Sequence, residues 1–329
     1  SSDVCSSDLG PARMLAYKGD MTATRHPGGL GQLGQHRVAR IGYGAMQRRG
    51  TVEDAITVLR RAVELGVNHI DTASFYADGE VNRTIRAALA PYPDDLVLVS
   101  KVGAAHIPGA AIPLTAAQQP RELRTAVETD LEQLGIDRVP VVNLRRMDLG
   151  PGVVAQGDQV VPLEDQLAEM TALRDEGKIG AIGISNVDLP MLEQALPAGI
   201  VCVQNAYNLL DRRREDMLAF CETNGIAWVP FFPLGSAFPG FPKVADNDVV
   251  CRIADEITCT PAQVGLAWLL AHSPGTLLIP GTSSVRHLEQ NLDAGDITLS
   301  QDQLAALDAV PGAGLSDRDG VEAFLDEGA

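Results

Sequence analysis

No stretch of this chain of 329 residues is apolar for long enough to cross a bilayer. Cysteine is sparse and scattered: Cys5, Cys202, Cys221, Cys251 and Cys259 show no CxxC spacing and no clustering with histidine, which argues against a structural zinc site. HExxH and P-loop patterns are missing as well, so a metal is not expected. Neither a basic start nor an apolar stretch marks the beginning as an export signal. An odd number of scattered thiols without such a signal points to the reducing cytoplasm. Positive charge is also in short supply. The formal net charge of −17 opposes nucleic acid and anionic membrane surfaces as partners.

What is present favours a soluble protein with a sizeable core, 45% hydrophobic and 21% charged. The segment Ser1-Ser2-Asp3-Val4-Cys5-Ser6-Ser7-Asp8-Leu9 resembles translated sequencing-adapter read-through. On that reading Cys5 is not native, the expected start is Met21, with Met14 second, and residues 1–20 are set aside. Residues 21–37 form an N-terminal segment, 38–311 the folded unit, and the weakly patterned acidic residues 312–329 a flexible tail.

From residue 37 onward, short apolar runs alternate with helical patterns, which favours parallel strands joined by crossover helices. The runs are residues 40–43, 68–71, 96–101, 139–145, 181–185, 201–205, 227–231 and 276–280. Eight of them suggest a closed (β/α)₈ barrel in one domain. Helices are expected over 52–65, 121–134, 163–176 and 261–271; Gly66, Gly135 and Gly177 stop the first three. The Gly- and Pro-containing connections 103–114, 147–162 and 235–247 read as irregular loops on the face where barrel enzymes hold substrate.

Asp71, Tyr76 and Lys101 fall where strand-like runs give way to turns. Separately they have ordinary explanations: a helix cap, a packed aromatic and a solvated charge. Together at one barrel rim they can meet. An ammonium beside a phenol stabilises the phenolate, lowering a tyrosine pKa from about 10 toward a value useful for proton donation. Such a trio suits reversible carbonyl reduction. Ser185-Asn186 and Gln204-Asn205 end two further runs with groups able to clamp a carboxamide, although turn chemistry explains them too. Phe231 and Phe232 could pack in the core or stack on a flat heterocycle. The stretch Gly281-Thr282-Ser283-Ser284-Val285-Arg286-His287 is a hydroxyl-rich loop entering a helix, a place for phosphate. Gly42-Tyr43-Gly44-Ala45-Met46 does not match GxGxxG, so a nicotinamide cofactor would be held without a Rossmann unit.

Those stretches, with His69-Ile70-Asp71-Thr72-Ala73, Ser100-Lys101, Ile182-Gly183-Ile184-Ser185-Asn186, Gln204-Asn205-Ala206-Tyr207-Asn208 and Ile279-Pro280-Gly281-Thr282, resemble the aldo-keto reductase family over about residues 38–310. Val141-Val142-Asn143-Leu144-Arg145 and Val229-Pro230-Phe231-Phe232-Pro233-Leu234-Gly235 are similar to its bacterial pyridoxal reductase branch. The resemblance implies an NADPH-preferring reductase, NADH being second, with Tyr76 as proton donor, Lys101 tuning it and Asp71 holding Lys101. It implies that Ser185, Asn186 and Gln204 bind the nicotinamide carboxamide, that Phe231 stacks beneath its ring, and that Leu234, Gly235 and Ser236 meet the pyrophosphate. Residues 282–287 with Gln290 and Asn291 would surround the adenosine end. Gly44, Ala45, Met46, Phe232 and Pro233 join this cofactor set.

The sequence departs from the family pattern at Arg145, where histidine is usual. Strand alternation puts Val141, Asn143 and Arg145 on one face, aiming Arg145 at the pocket. It can polarise an oxyanion but cannot shuttle protons. The competing role is a salt bridge to Asp148 or another rim carboxylate. Gly281 stands where many NADPH-specific members carry lysine, and His287 where they carry arginine. The expected partner is a small aldehyde substrate, pyridoxal first, and the protein is expected to be a monomer or weak homo-oligomer. The alternatives are another small aldehyde or ketone, or a nicotinamide-binding regulatory subunit with negligible turnover.

Overall fold

The computed structural model describes residues 25–46, 50–109, 114–149, 153–235 and 242–313. Along the chain, β1 (Leu30–Leu33) and β2 (His36–Ala39) precede β3 (Tyr43–Gly44), α1 (Val52–Glu64), β4 (His69–Asp71), α2 (Glu80–Leu89) and β5 (Val97–Val102). Next come β6 (Ala104–His106), β7 (Leu114–Ala116), α3 (Pro120–Leu134), β8 (Val139–Arg145), α4 (Leu163–Asp175), β9 (Ile179–Ser185) and α5 (Leu189–Ala195). The rest is β10 (Ile200–Gln204), α6 (Glu215–Asn224), β11 (Ala227–Trp228), α7 (Asp248–Ile257), α8 (Pro261–His272), α9 (Val285–Asp293) and α10 (Gln301–Asp308).

The strands β3, β4, β5, β8, β9, β10 and β11 pair in that order, all parallel. The last predicted run closes the ring through single bridges rather than a continuous strand: Thr276 pairs with Trp228, and Leu278 with Ile41. Leu277 N donates to Trp228 O, and Gly42 N to Leu278 O, both at 2.8 Å. The result is a (β/α)₈ barrel. The seventh run is shorter than expected because Pro230 has no N–H to offer, although Val229 and Phe231 still donate to Val203 and Asn205.

Period-two alternation sorts the strands' side chains. Val97, Val99, Val141, Cys202, Ala227, Val229, Leu277 and Ile279 fill the barrel, whereas Val142, Leu144, Ile182 and Ile184 face the helices. Helix ends follow from local chemistry. Thr51 and Asp54 form a reciprocal capping box at the start of α1, and Gly66 after it adopts φ 91°, a conformation open to glycine.

Two hairpins escaped the sequence reading. Strands β1 and β2 form an antiparallel hairpin before the first predicted run, and its Leu33 and Val38 join the barrel-filling cluster as a floor. The connection after β5, expected to be irregular, contains a second hairpin in which Ala104 pairs with Ala116 and His106 with Leu114. Both are short, with alternation too weak to register against their glycines and prolines. Residues 1–20, Met21, Ser236 and the tail from 314 lie outside the described residues. Among those described, no helix is long and apolar enough to cross a membrane.

Candidate active site

The ends of β4 and β5 bring Asp71 and Lys101 into a buried ion pair, their side chains 5% and 7% exposed. Lys101 Nζ donates to Asp71 Oδ1 and, at 3.2 Å, to the carbonyl of Thr72. The other carboxylate oxygen is held by Gln204 Nε2 from β10 at 2.7 Å. Asp71 therefore caps no helix, and Lys101 is not a solvated charge. Tyr76 follows β4 at the start of a 3₁₀ turn, with its ring centroid 5.1 Å from Nζ. Phe75 meets that ring edge-on at 5.1 Å. Burial works to lower the pKa of Lys101, but Asp71 and Tyr76 outweigh it and hold the value above the ordinary range. The lysine is a fixed cation beside the phenol.

A polar network backs this pair from the helix side. Asp130 on α3 is fully buried; it accepts from Ser100 Oγ at 2.6 Å and Asn82 Nδ2 at 2.7 Å, and Thr72 Oγ1 donates to Asn82 Oδ1 at 2.7 Å. Thr72 and Ser100 are the sequence neighbours of Asp71 and Lys101, so one network grips both strand ends. Burial pushes Asp130 up to about 7 from 3.8, against the lowering effects of Ser100, Asn82, Lys101 and the Ser74 backbone. Burial also pushes His69, inside the barrel, down from 6.5 to about 4. The two oppose each other in stability. Between pH 4 and 6.5 the unfolded chain takes a proton on His69 that the fold refuses, so stability rises with pH. Between pH 3.8 and 7 the fold keeps a proton on Asp130 that the unfolded chain releases, so stability falls with pH. Asp130→Asn removes the second contribution alone. In urea melts, its stability relative to wild type should rise from pH 4.5 to 6.5 by up to about 3 kcal/mol, at about 1.4 kcal/mol per pH unit. A pH-independent difference would refute the shift.

Arg145 ends β8 on the same face as Val141 and Asn143, as alternation predicts. It does not take Asp148. Arg146, on the opposite face, does so through Nε at 2.6 Å and Nη2 at 2.9 Å, and it also reaches Val161 and Gln166. The Arg145 guanidinium lies 5.9 Å from the centroid of Phe231, and its pKa is lowered by burial and raised by Tyr76.

A cleft of about 730 Å³ runs from Asp71, Tyr76 and Lys101 across Gly44, Met46 and Phe231 to Gly235, and on to Gly281, Thr282, Arg286, His287, Gln290 and Asn291. Phe231 and Phe232 meet edge to face at 5.0 Å, and Phe232 holds φ 56°, an uncommon backbone for a bulky residue. Ser284 does not line the cleft; it caps α9 by accepting from His287 N, while Ser284 N is held by Thr282 Oγ1 at 3.1 Å. Ser283 and Ala45 also stand back from the cleft. A Cβ on Gly281 would lie 2.7 Å from Gly44 O, and one on Gly44 would lie 2.5 Å from Ile279 O. Backbone approach thus leaves no room for lysine at Gly281.

Ser185, Asn186 and Gln204 lie deeper than the open cleft, buried at adjoining strand ends, with Gln204 in register with Ser185. Asn186 Nδ2 is committed to the carbonyls of Arg146 and Leu149 at 3.0 and 2.9 Å. Ser185 Oγ and Gln204 Oε1 are shielded from water and have no partner among the described residues. Buried polar atoms are seldom left so. A primary carboxamide supplies what they lack, a carbonyl for the serine hydroxyl and an N–H for the glutamine oxygen. The residues present therefore fit the nicotinamide end of a dinucleotide.

Sequence reasoning missed Lys243 and Ala245, from the connection after the seventh run, and Thr260, Pro261 and Ala262 at the start of α8; all of them line the cleft. A cation inside a Pro- and Gly-rich loop leaving a strand's carboxyl end was the available signal for Lys243. Thr260 and Pro261 read only as a helix start.

The model of the Aldo/keto reductase family matches residues 40–311. The chain is 43% identical over 287 residues to pyridoxine 4-dehydrogenase of Escherichia coli (strain K12), a match spanning 84% of this chain and 96% of that protein. Methylglyoxal reductase YeaE of the same strain is 30% identical over 301 residues, covering 90% and 94%. Among solved structures, an aldo/keto reductase from Klebsiella pneumoniae in complex with NADP and acetate superposes with a TM-score of 0.70 at 29% identity, covering 87% of this chain and 96% of that one.

Proposed function

The chain belongs to the aldo/keto reductase family, and we propose that it is a cytoplasmic, NADPH-dependent aldehyde reductase whose substrate is pyridoxal, reduced to pyridoxine. The observation that carries this reading is the buried Asp71 and Lys101 pair beside Tyr76, at the head of a cleft whose deep end holds two unpartnered carboxamide-binding atoms. The resemblance to pyridoxine 4-dehydrogenase supports the substrate. Cys202, Cys221, Cys251 and Cys259 are free thiols, which fits a reducing compartment.

When bound, the dihydronicotinamide supplies a hydride to the carbonyl carbon. The protein's own residues do the rest. Ser185 and Gln204 orient the carboxamide, and Phe231 packs against the ring. Gly44 and Gly281 let the backbone approach closely, and residues Phe232, Pro233, Leu234 and Gly235 border the pyrophosphate. The N-terminus of α9, with Arg286, His287, Gln290 and Asn291, takes the adenosine end and its phosphate, joined by Lys243. With no lysine possible at Gly281, the basic residues left for the extra phosphate of NADPH are Arg286, Lys243 and His287.

At the reacting end, Tyr76 donates its proton to the substrate oxygen as negative charge develops there. Lys101, fixed by Asp71 and the Thr72 carbonyl, stabilises the phenolate left behind. Arg145 donates hydrogen bonds to the same oxygen.

NADPH consumption measured with pyridoxal, pyridoxal phosphate, methylglyoxal and benzaldehyde tests the proposal. Pyridoxal should give the highest kcat/KM. Preference for another aldehyde would replace the substrate, and tight NADPH binding with no consumption across the panel would favour the regulatory-subunit reading.

A further inference from the structure

Arg145 carries a charge that no carboxylate among the described residues answers. Among the described residues its solvent-shielded Nε has no hydrogen-bond partner, and the guanidinium pairs with no carboxylate. The carboxylates at this rim are already committed: Asp71 to Lys101 and Gln204, and both oxygens of Asp148 to Arg146. A guanidinium stays protonated at any working pH, so the side chain cannot shed its charge. A half-buried cation whose shielded Nε lacks an acceptor is poised for a ligand that supplies one.

The surroundings define what that ligand presents. Gln118 Nε2 holds the Arg145 carbonyl at 3.0 Å, fixing the backbone from which the side chain springs. Phe231 covers one side of the guanidinium, whose planar fork offers parallel N–H bonds suited to two acceptor oxygens side by side. Burial lowers the arginine's pKa, and Tyr76, the proposed proton donor, is near enough to oppose that lowering.

Resting on the reading of Tyr76 as proton donor to a carbonyl, we infer that Arg145 makes the enzyme selective for aromatic aldehydes bearing an ionised hydroxyl on the ring carbon next to the carbonyl. The fork holds the carbonyl oxygen and the hydroxylate together. Once ionised, such a hydroxyl no longer donates to the neighbouring carbonyl, and both oxygens become acceptors facing the same way. Hydride adds to the carbonyl carbon, the π pair moves to oxygen, and that oxygen takes the Tyr76 proton; the hydroxylate is unchanged. Pyridoxal belongs to this class, as do simple 2-hydroxybenzaldehydes. An uncharged aldehyde leaves the guanidinium unanswered.

The test compares kcat/KM for 2-hydroxybenzaldehyde, 3-hydroxybenzaldehyde and benzaldehyde, with NADPH, in the wild type, Arg145→Met and Arg145→Lys. Wild type should favour the 2-hydroxy isomer over the 3-hydroxy isomer by about tenfold or more, one paired charge-assisted contact being worth that much. Arg145→Met should erase the preference, with 2-hydroxybenzaldehyde losing at least about tenfold more than benzaldehyde, and Arg145→Lys should retain part of it. A second readout needs no turnover. With NADP⁺ bound, the phenolate absorption of 2-hydroxybenzaldehyde should appear at lower pH on wild-type enzyme than in free solution, and this shift should vanish in Arg145→Met. Should Arg145→Met fail to fold, the wild-type isomer ratio, the spectral shift and Arg145→Lys still decide. Equal rates for the two hydroxy isomers in wild type, or a preference that survives in Arg145→Met, overturn the inference. If pyridoxal proves inert while the 2-hydroxy preference holds, only the pyridoxal assignment falls. If pyridoxal is reduced equally well by Arg145→Met, that assignment stands and this inference falls.

Discussion

Tyr76→Phe should lower kcat by about 10²-fold or more, the usual scale for losing a positioned general acid, while the thermal midpoint and NADPH affinity stay near wild type. The variant keeps the ring that Lys101 overlies and Phe75 meets edge-on, and only the hydroxyl leaves. Half-buried packing is retained, so little stability is at stake. Single-turnover rates and equilibrium NADPH titration measure the two parts separately. Full activity in this variant would remove Tyr76 from the chemistry and with it the proposed proton path.

Lys101→Met should damage both chemistry and fold. It strands the buried Asp71 carboxylate with Gln204 as its remaining side-chain donor, and breaking a buried ion pair from one side costs about 3–5 kcal/mol. The urea midpoint should drop accordingly, and turnover with it. Asp71→Asn added to Lys101→Met should restore most of the stability, because the stranded charge is gone, without restoring turnover. If the double variant melts no later than the single one, the loss arises elsewhere than in the ion pair.

The barrel was legible because its central strands are buried on both faces and read as apolar runs, each ending in the residues that now form the rim. Residues 139–145 were placed to the residue. The two hairpins were not legible. Leu30–Leu33 and His36–Ala39 are four-residue strands whose apolar positions gain meaning only once a barrel end exists for Leu33 and Val38 to fill. Within the site, the rim position of Asp71, Tyr76 and Lys101 followed from strand ends alone. Arg145 and Arg146 show where local reading stops. The choice of which neighbour meets Asp148 depends on strand facing and on a distant Gln166, and only folded geometry shows that Arg145 pairs with no carboxylate among the described residues. Lys243 reaches the cleft from a loop whose path no periodicity encodes.

The ring's last seam has a consequence for the occupied enzyme. Trp228 and Ile41 meet the segment around Leu278 through isolated bridges, not a ladder, and the cleft lies over that same stretch of wall, with Phe231 to Gly235 on one bank and Ile279 to Thr282 on the other. A dinucleotide bound as proposed would span both banks like a stave hoop, clasping the barrel where its own backbone stitches are fewest, so that loading the enzyme would also tighten its scaffold.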